Sequence, residues 1–104
     1  RGASAHRPEN TLAAFRAAAQ LGVPMQEFDV RQLRCGTLVC VHDATFDRTT
    51  DAARVFGPGL PVAAANWRQV ERLDAGSWFG SAHAGERVPT LAEALATITL
   101  DGIA

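Results

Sequence analysis

The apolar positions of the chain change period several times, and each change predicts an element. Leu12, Phe15 and Ala19 recur at helical spacing after Pro8, Glu9 and Asn10, and Gly22 closes the run. This predicts a helix over residues 11–21, with Asn10 as N-cap and Gly22 as C-terminal stop. Residues 25–30 alternate instead, with Phe28 and Val30 on one face and Glu27 and Asp29 on the other, the pattern of a short strand. After a turn at Arg34-Cys35-Gly36, residues 38–42 are almost continuously apolar and predict a strand buried on both sides that ends at His42. Residues 47–65 show no period and contain Gly57, Pro58, Gly59 and Pro61, which predicts a long surface loop or insertion. Asn66 with Gln69 has the form of a capping box opening a short helix through Val70 and Leu73. Thr90 with Glu93 repeats it before Leu91, Leu95 and Ile98. The alternation of helix and strand predicts an α/β fold with a parallel sheet, and a further strand is due where the chain reaches Ala104.

Composition narrows the class without changing the picture. The 104 residues are 47% hydrophobic and 20% charged, the proportions of a soluble globular unit. Ten basic residues against eleven acidic ones leave a net charge of −1 without any run of like charge. A nucleic-acid partner or an anionic membrane surface is therefore not expected. No apolar stretch approaches the ~20 residues that cross a bilayer. The start at Arg1 has neither an initiating Met nor a hydrophobic signal core and reads as a cut end, which leaves the compartment open. Cys35 and Cys40 are too few for a disulfide framework and wrongly spaced for the usual zinc pairs, so they read as reduced thiols.

Two places carry chemistry. Glu27 and Asp29, at i and i+2 of one strand, project from the same face with Cα atoms roughly 6.5 to 7 Å apart. One hard cation fits between two such carboxylates and would take further oxygen ligands from elsewhere. Taken alone, the pair reads more readily as a solvated strand face. His42 brings an imidazole to the end of an apolar strand with Asp43 beside it, a candidate general acid or base. A histidine merely satisfied at a core edge is the competing reading. His6 and His83 receive no role from the pattern.

The conjunction of segments says more than each alone. Arg1-Gly2, Pro8-Glu9-Asn10-Thr11, Glu27-Phe28-Asp29-Val30, His42-Asp43, Arg48-Thr49-Thr50, Leu73-Asp74-Ala75-Gly76-Ser77-Trp78-Phe79 and Gly85-Glu86-Arg87-Val88-Pro89-Thr90-Leu91 follow one another in order. Together they resemble the amino-terminal part of the glycerophosphodiester phosphodiesterase family, over nearly the whole chain. The resemblance implies part of a (β/α)8 TIM barrel, its first few βα units, with a small insertion over residues 47–89 in a single domain spanning 1–104. A complete barrel takes about 250 residues.

The resemblance also assigns roles. Arg1 matches the phosphate-contacting arginine, Glu27 and Asp29 the first two ligands of one divalent cation, Ca2+ or Mg2+, and His42 the second catalytic histidine. The first catalytic histidine would stand immediately before Arg1 and the third metal ligand beyond Ala104, so these 104 residues are expected to be inactive alone. Glu9 is expected to help hold the arginine, and Trp78 and Phe79 to be core of the insertion. The implied activity is metal-dependent hydrolysis of a small-molecule glycerophosphodiester to glycerol 3-phosphate and an alcohol, with the substrate's own neighbouring hydroxyl as a possible attacking group. A related phosphodiesterase of lysophospholipid or sphingolipid head groups, or a non-catalytic domain of the same fold, are the alternatives. The chain departs from the family at Leu33 and Cys35, where Thr and Asp are frequent, and at Gln26, where an apolar residue is usual.

Overall fold

The computed structural model describes the backbone of residues 1–100 and the side chains of residues 1–98. Helix α1 spans Leu12–Gln20 and buries Ala14, Phe15 and Ala18. Its N-cap is Thr11, one residue later than the sequence predicts. Thr11 has the extended backbone a cap requires, and its hydroxyl accepts from the Ala14 N–H. Asn10 lies in the left-handed region at φ 55°, a conformation Asn tolerates better than most residues, and its side chain is committed elsewhere. Gly22 does end the helix, at φ 75° beyond the C-cap Leu21.

Strand β1 is Val30–Gln32 and strand β2 is Leu38–Cys40. They pair antiparallel, Val30 opposite Cys40 and Gln32 opposite Leu38. This corrects the parallel ladder expected from element alternation. The connection is a tight turn in which the Leu33 N–H donates to the Thr37 carbonyl at 2.8 Å. A parallel pair needs a crossover of about a dozen residues or more, which the five residues 33–37 cannot supply. The predicted strand over residues 25–30 is likewise displaced, since only Val30 enters the ladder and β1 is exposed throughout. The chain is α/β, with alternating helices and a short sheet that does not close into a barrel among the described residues, as a partial (β/α)8 barrel would leave it.

β2 divides the core. Val39 and Val41 enter a cluster with Leu33, Phe46, Val62, Val70 and Leu73, whereas Cys40 faces the other way to join Phe15, Ala94 and Ile98. Leu33 thus fills the core. Helix α2, Ala52–Phe56, and a 3-10 turn, Val62–Ala64, lie within residues 47–65 and bury Ala52, Val62 and Ala65. The predicted surface loop is therefore a walled part of the core. Its apolar residues are too few and too unevenly spaced to register as a period.

Helix α3, Trp67–Val70, has the predicted capping box, with Asn66 and Gln69 bonded reciprocally, but stops before Leu73. Helix α4, Leu91–Leu100, follows the reciprocal Thr90 and Glu93 bonds at 2.9 and 3.1 Å. Its buried face carries Ala94, Thr97 and Ile98, and Leu95, predicted to lie on it, is exposed. The further strand predicted near Ala104 falls outside the described residues.

Between α3 and α4 the chain folds around Asp74. Its carboxylate accepts from the Gly76, Ser77 and Gly85 N–H groups and the Ser77 hydroxyl. A second 3-10 turn, Ser81–His83, follows. Trp78 is 40% exposed and Phe79 half-buried, so the pair is a surface feature instead of the expected core. Gly76 is buried where the His83 backbone crosses it. A Cβ there would overlap the His83 carbonyl oxygen and lie 2.8 Å from its carbon and 2.9 Å from Glu86 Cβ. Gly76→Ala is expected to destabilise by about 1–3 kcal/mol or more, since the obstacle is backbone and not a movable side chain. Urea unfolding of the two proteins side by side measures it, and an unchanged midpoint would mean the crossing is loose.

Candidate active site

The turn that starts the chain is pressed against α1. The Ala3 N–H donates to the Ala14 carbonyl at 3.0 Å, and Gly2 lies so close that a Cβ would sit 2.7 Å from the Ala14 backbone. With φ 75° as well, position 2 accepts only glycine without strain. This places Arg1 over residues 27–29. Its backbone nitrogen donates to the Glu27 carbonyl and lies 3.1 Å from Glu27 Oε2. Its guanidinium approaches Asp29 Oδ2 at 3.5 Å and Glu9 Oε1 at 3.7 Å.

Asn10 holds Asp29 from the other side. Its Nδ2 donates to Asp29 Oδ2 at 3.1 Å, and its Oδ1 accepts from the Asp29 N–H at 3.4 Å. The left-handed backbone at Asn10 turns a residue expected to cap a helix into the clamp on a candidate metal ligand. Asp29 then passes its carbonyl to the Val41 N–H at 3.1 Å, which brings the segment alongside the one that leads to His42.

His42 lies two residues beyond β2. Its Nδ1 is 2.7 Å from Asp43 Oδ1. Asp43 is held well below the usual carboxylate range, first by hydrogen bonds from Arg48 and then by the bond to His42. An ionised carboxylate only accepts, so Nδ1 carries the proton of that bond and Nε2 is left as the atom that exchanges one. Arg48 also bonds both oxygens of Glu9 at 2.9 Å, although the two residues are 39 positions apart. Arg31, on β1, donates from Nε to the His42 carbonyl at 2.9 Å.

All four residues singled out in the sequence thus fall in one region. Asp29, Arg31 and His42 line an open cleft of about 480 Å3, and Arg1 and Glu27 line a neighbouring one of about 280 Å3. Arg48 received no role from sequence, although it stands in one of the quoted motifs. A positive side chain in a loop has no periodicity to mark its partners. Gln26 donates to the Phe15 carbonyl at 3.1 Å, and its Oε1 is buried without a partner among the described residues. Cys40 is no nucleophile. Burial, with the charges of Asp29 and Glu93 adding to it, pushes its thiol up to about 12, and Cys35 and Cys40 are both free.

The donor set at residues 27 and 29 suits a hard cation. Glu27 Oε1 and Asp29 Oδ1 take no hydrogen bond or ion pair from the described residues, so each carboxylate keeps one anionic oxygen to offer. Among the described residues, no third His, Cys, Asp or Glu joins them in a ligating group. Among the described residues, the side-chain ion pairs of the region join the carboxylates of Glu9, Asp29 and Asp43 to two arginines, Arg1 and Arg48.

Known proteins resemble this chain in sequence and fold. A family model described as the glycerophosphoryl diester phosphodiesterase family matches residues 1–103. A glycerophosphodiester phosphodiesterase of Caldanaerobacter subterraneus is 46% identical over 93 residues, covering 89% of this chain and 36% of that protein. Among solved structures, an Oleispira antarctica phosphodiesterase in complex with the product sn-glycerol-3-phosphate superposes with a TM-score of 0.88 at 40% identity. The match covers 99% of this chain and 39% of that one. A glycerophosphodiester phosphodiesterase of Agrobacterium tumefaciens gives 0.86 at 40% identity, over 97% of this chain and 41% of the other. The chain spans little more than a third of the length of the curated relative.

The Asp43 contacts have a consequence for pH. Since folding lowers the pKa of Asp43 below its ordinary 3.8, the folded state gains stability above that value and loses it as the carboxylate is protonated. The stability difference between the natural protein and Asp43→Asn is therefore expected to be full at neutral pH and to shrink progressively below about pH 5. Urea unfolding of both proteins across that range measures it, and a difference independent of pH would rule out a charged role for Asp43.

Proposed function

The chain belongs to the glycerophosphoryl diester phosphodiesterase family, and on that basis we propose that it forms the amino-terminal part of a catalytic barrel that hydrolyses glycerophosphodiesters to glycerol 3-phosphate and an alcohol. The observation that carries this reading is the meeting of Arg1, the two carboxylates of Glu27 and Asp29, and the His42-Asp43 unit around adjoining clefts. The glycerol 3-phosphate bound in the related Oleispira structure supports the product class.

The chemistry demands these groups. A phosphodiester carries a negative charge that repels a nucleophile, and its leaving alkoxide is a poor one until protonated. Arg1 contacts the phosphate and draws off charge. Its grip on Glu9 and Asp29 fixes the guanidinium before substrate arrives, so little order is lost on binding. His42, with Nδ1 fixed by Asp43, presents Nε2 for proton transfer to the leaving oxygen. Glu27 and Asp29 would hold a divalent cation, Ca2+ or Mg2+, which would need further oxygen ligands beyond these two. When bound, that cation would polarise a phosphoryl oxygen as a Lewis acid. The Arg1 guanidinium and the Asn10 amide, both at Asp29 Oδ2, orient that carboxylate meanwhile.

In the full-length protein, Glu27→Gln and Asp29→Asn are each expected to weaken binding of Ca2+ or Mg2+ and activity together, since each removes an anionic oxygen with little change of shape. Calorimetric titration with each cation measures this, and unchanged affinity in both variants would leave the pair as a solvated face. His42→Ala is expected to lower kcat roughly 10²- to 10⁴-fold while sparing metal affinity. A substrate whose leaving alcohol has a low pKa should recover part of that loss. Equal losses on the activated and the natural diester would exclude His42 as the proton donor.

A further inference from the structure

Proton transfer by His42 needs an imidazole held in one orientation, and the group that holds it is itself partly open to solvent. Asp43 is not fixed by burial. It is fixed from its far side by Arg48, whose Nε and Nη2 donate to Oδ2 and Oδ1 at 2.8 and 3.0 Å. The same guanidinium turns its other edge to Glu9, with Nη1 to Oε1 and Nη2 to Oε2 both at 2.9 Å. All three nitrogens are engaged, so the planar fork is held against both rotation and tilt.

Both ends of this clamp are anchored. The Glu9 side chain is only 9% exposed, and its neighbour Asn10 is tied by its N–H to the Arg1 carbonyl at 3.0 Å. On the other side Thr49 and Thr50 are buried, and the Thr50 hydroxyl donates to the Phe46 carbonyl at 2.7 Å while accepting from the Ala52 N–H at 3.0 Å. Glu9, Arg48, Asp43 and His42 therefore form a continuous chain of contacts that ends on Nδ1.

We propose that Arg48 is a positioning residue of this site: its fork between Glu9 and Asp43 holds Asp43 against His42 Nδ1 and thereby aims Nε2 at the reacting oxygen. This rests on the reading of His42 as proton donor. A lysine keeps the charge but cannot address two carboxylates through one rigid plane, so the role is specific to arginine.

A double-variant cycle in the full-length protein tests it, with Arg48→Gln, His42→Ala and the two combined, and with kcat, KM and melting temperature measured on glycerophosphocholine. Arg48→Gln is expected to lower kcat roughly 10- to 100-fold, the usual cost of losing a partner that orients an active group. KM should change less than kcat, and Arg48→Lys should restore only part of the rate. In the His42→Ala background Arg48→Gln should cost less than about threefold, because residues that act as one unit are not additive. A loss that multiplies in full onto His42→Ala, or a lower melting temperature with kcat unchanged, overturns the proposal and leaves the reading of His42 standing. Undiminished kcat in His42→Ala would instead bring down that reading and this proposal with it. Should Arg48→Gln fail to fold, Arg48→Lys in the same cycle decides by the same criterion.

Discussion

A strand covered on both faces has no water to bond its backbone, so its amide and carbonyl groups must be matched by neighbouring chain. β2 is in that position. Val39 and Cys40 point into opposite halves of the core, β1 pairs along one edge, and Pro89 and Thr90 take the other through the Cys40 N–H and a bridge at Val39. Once these three segments are aligned, the site's frame is set. Asp29 immediately precedes β1, His42 follows β2, and α4 starts at the bridge to Thr90. The charged groups do not build this frame; they occupy positions that apolar burial has already decided.

On that frame the region around the clefts is held together by alternating charges. Arg1 and Arg48 both touch Glu9, Arg1 continues to Asp29, and Arg48 continues to Asp43. Exposed ion pairs taken singly contribute little, because solvent screens them and long side chains lose entropy. Here the value lies in geometry. Each carboxylate is approached from a defined direction, and the Arg48 guanidinium acts as a strut between two segments, at Glu9 and at Asp43, that share no backbone hydrogen bond among the described residues. Glu9 is the common node, and it is the most buried of the charged groups in the network.

Features encoded in adjacent residues were legible from sequence: α1, the turn at Gly36, the two Asn66 and Thr90 caps, and β2 with its two buried faces. Their signals are local spacing and local side-chain chemistry, which one sequence displays. What misled was whatever depends on a partner far along the chain. The antiparallel pairing of β1 and β2 follows from a tight turn that element counting overlooks. The core contribution of residues 47–65 comes from isolated apolar positions with no period. At the candidate site, Glu27, Asp29, His42 and Arg1 were singled out by their motifs, whereas Arg48 and the clamping contact of Asn10 needed distances. Asn10 shows why: its residue type suits a helix cap and also suits a left-handed bend, and only the placement of Asp29 decides between them.

The span of the Arg48 contact bears on the order in which the molecule assembles. The hairpin closes over ten residues, from Val30 to Cys40, whereas Glu9 and Arg48 are 39 apart. That is nearly two doublings of loop length, or about 1.2 kcal/mol more chain entropy to overcome before the contact gives anything back. Solvent-screened charges offer little to offset such a cost early, when the chain is still open and wet. Loop-closure entropy therefore favours the local hairpin and capped helices first, apolar collapse around β2 next and the charged struts last, so that a partly folded form would have the shape of the site before its alignment.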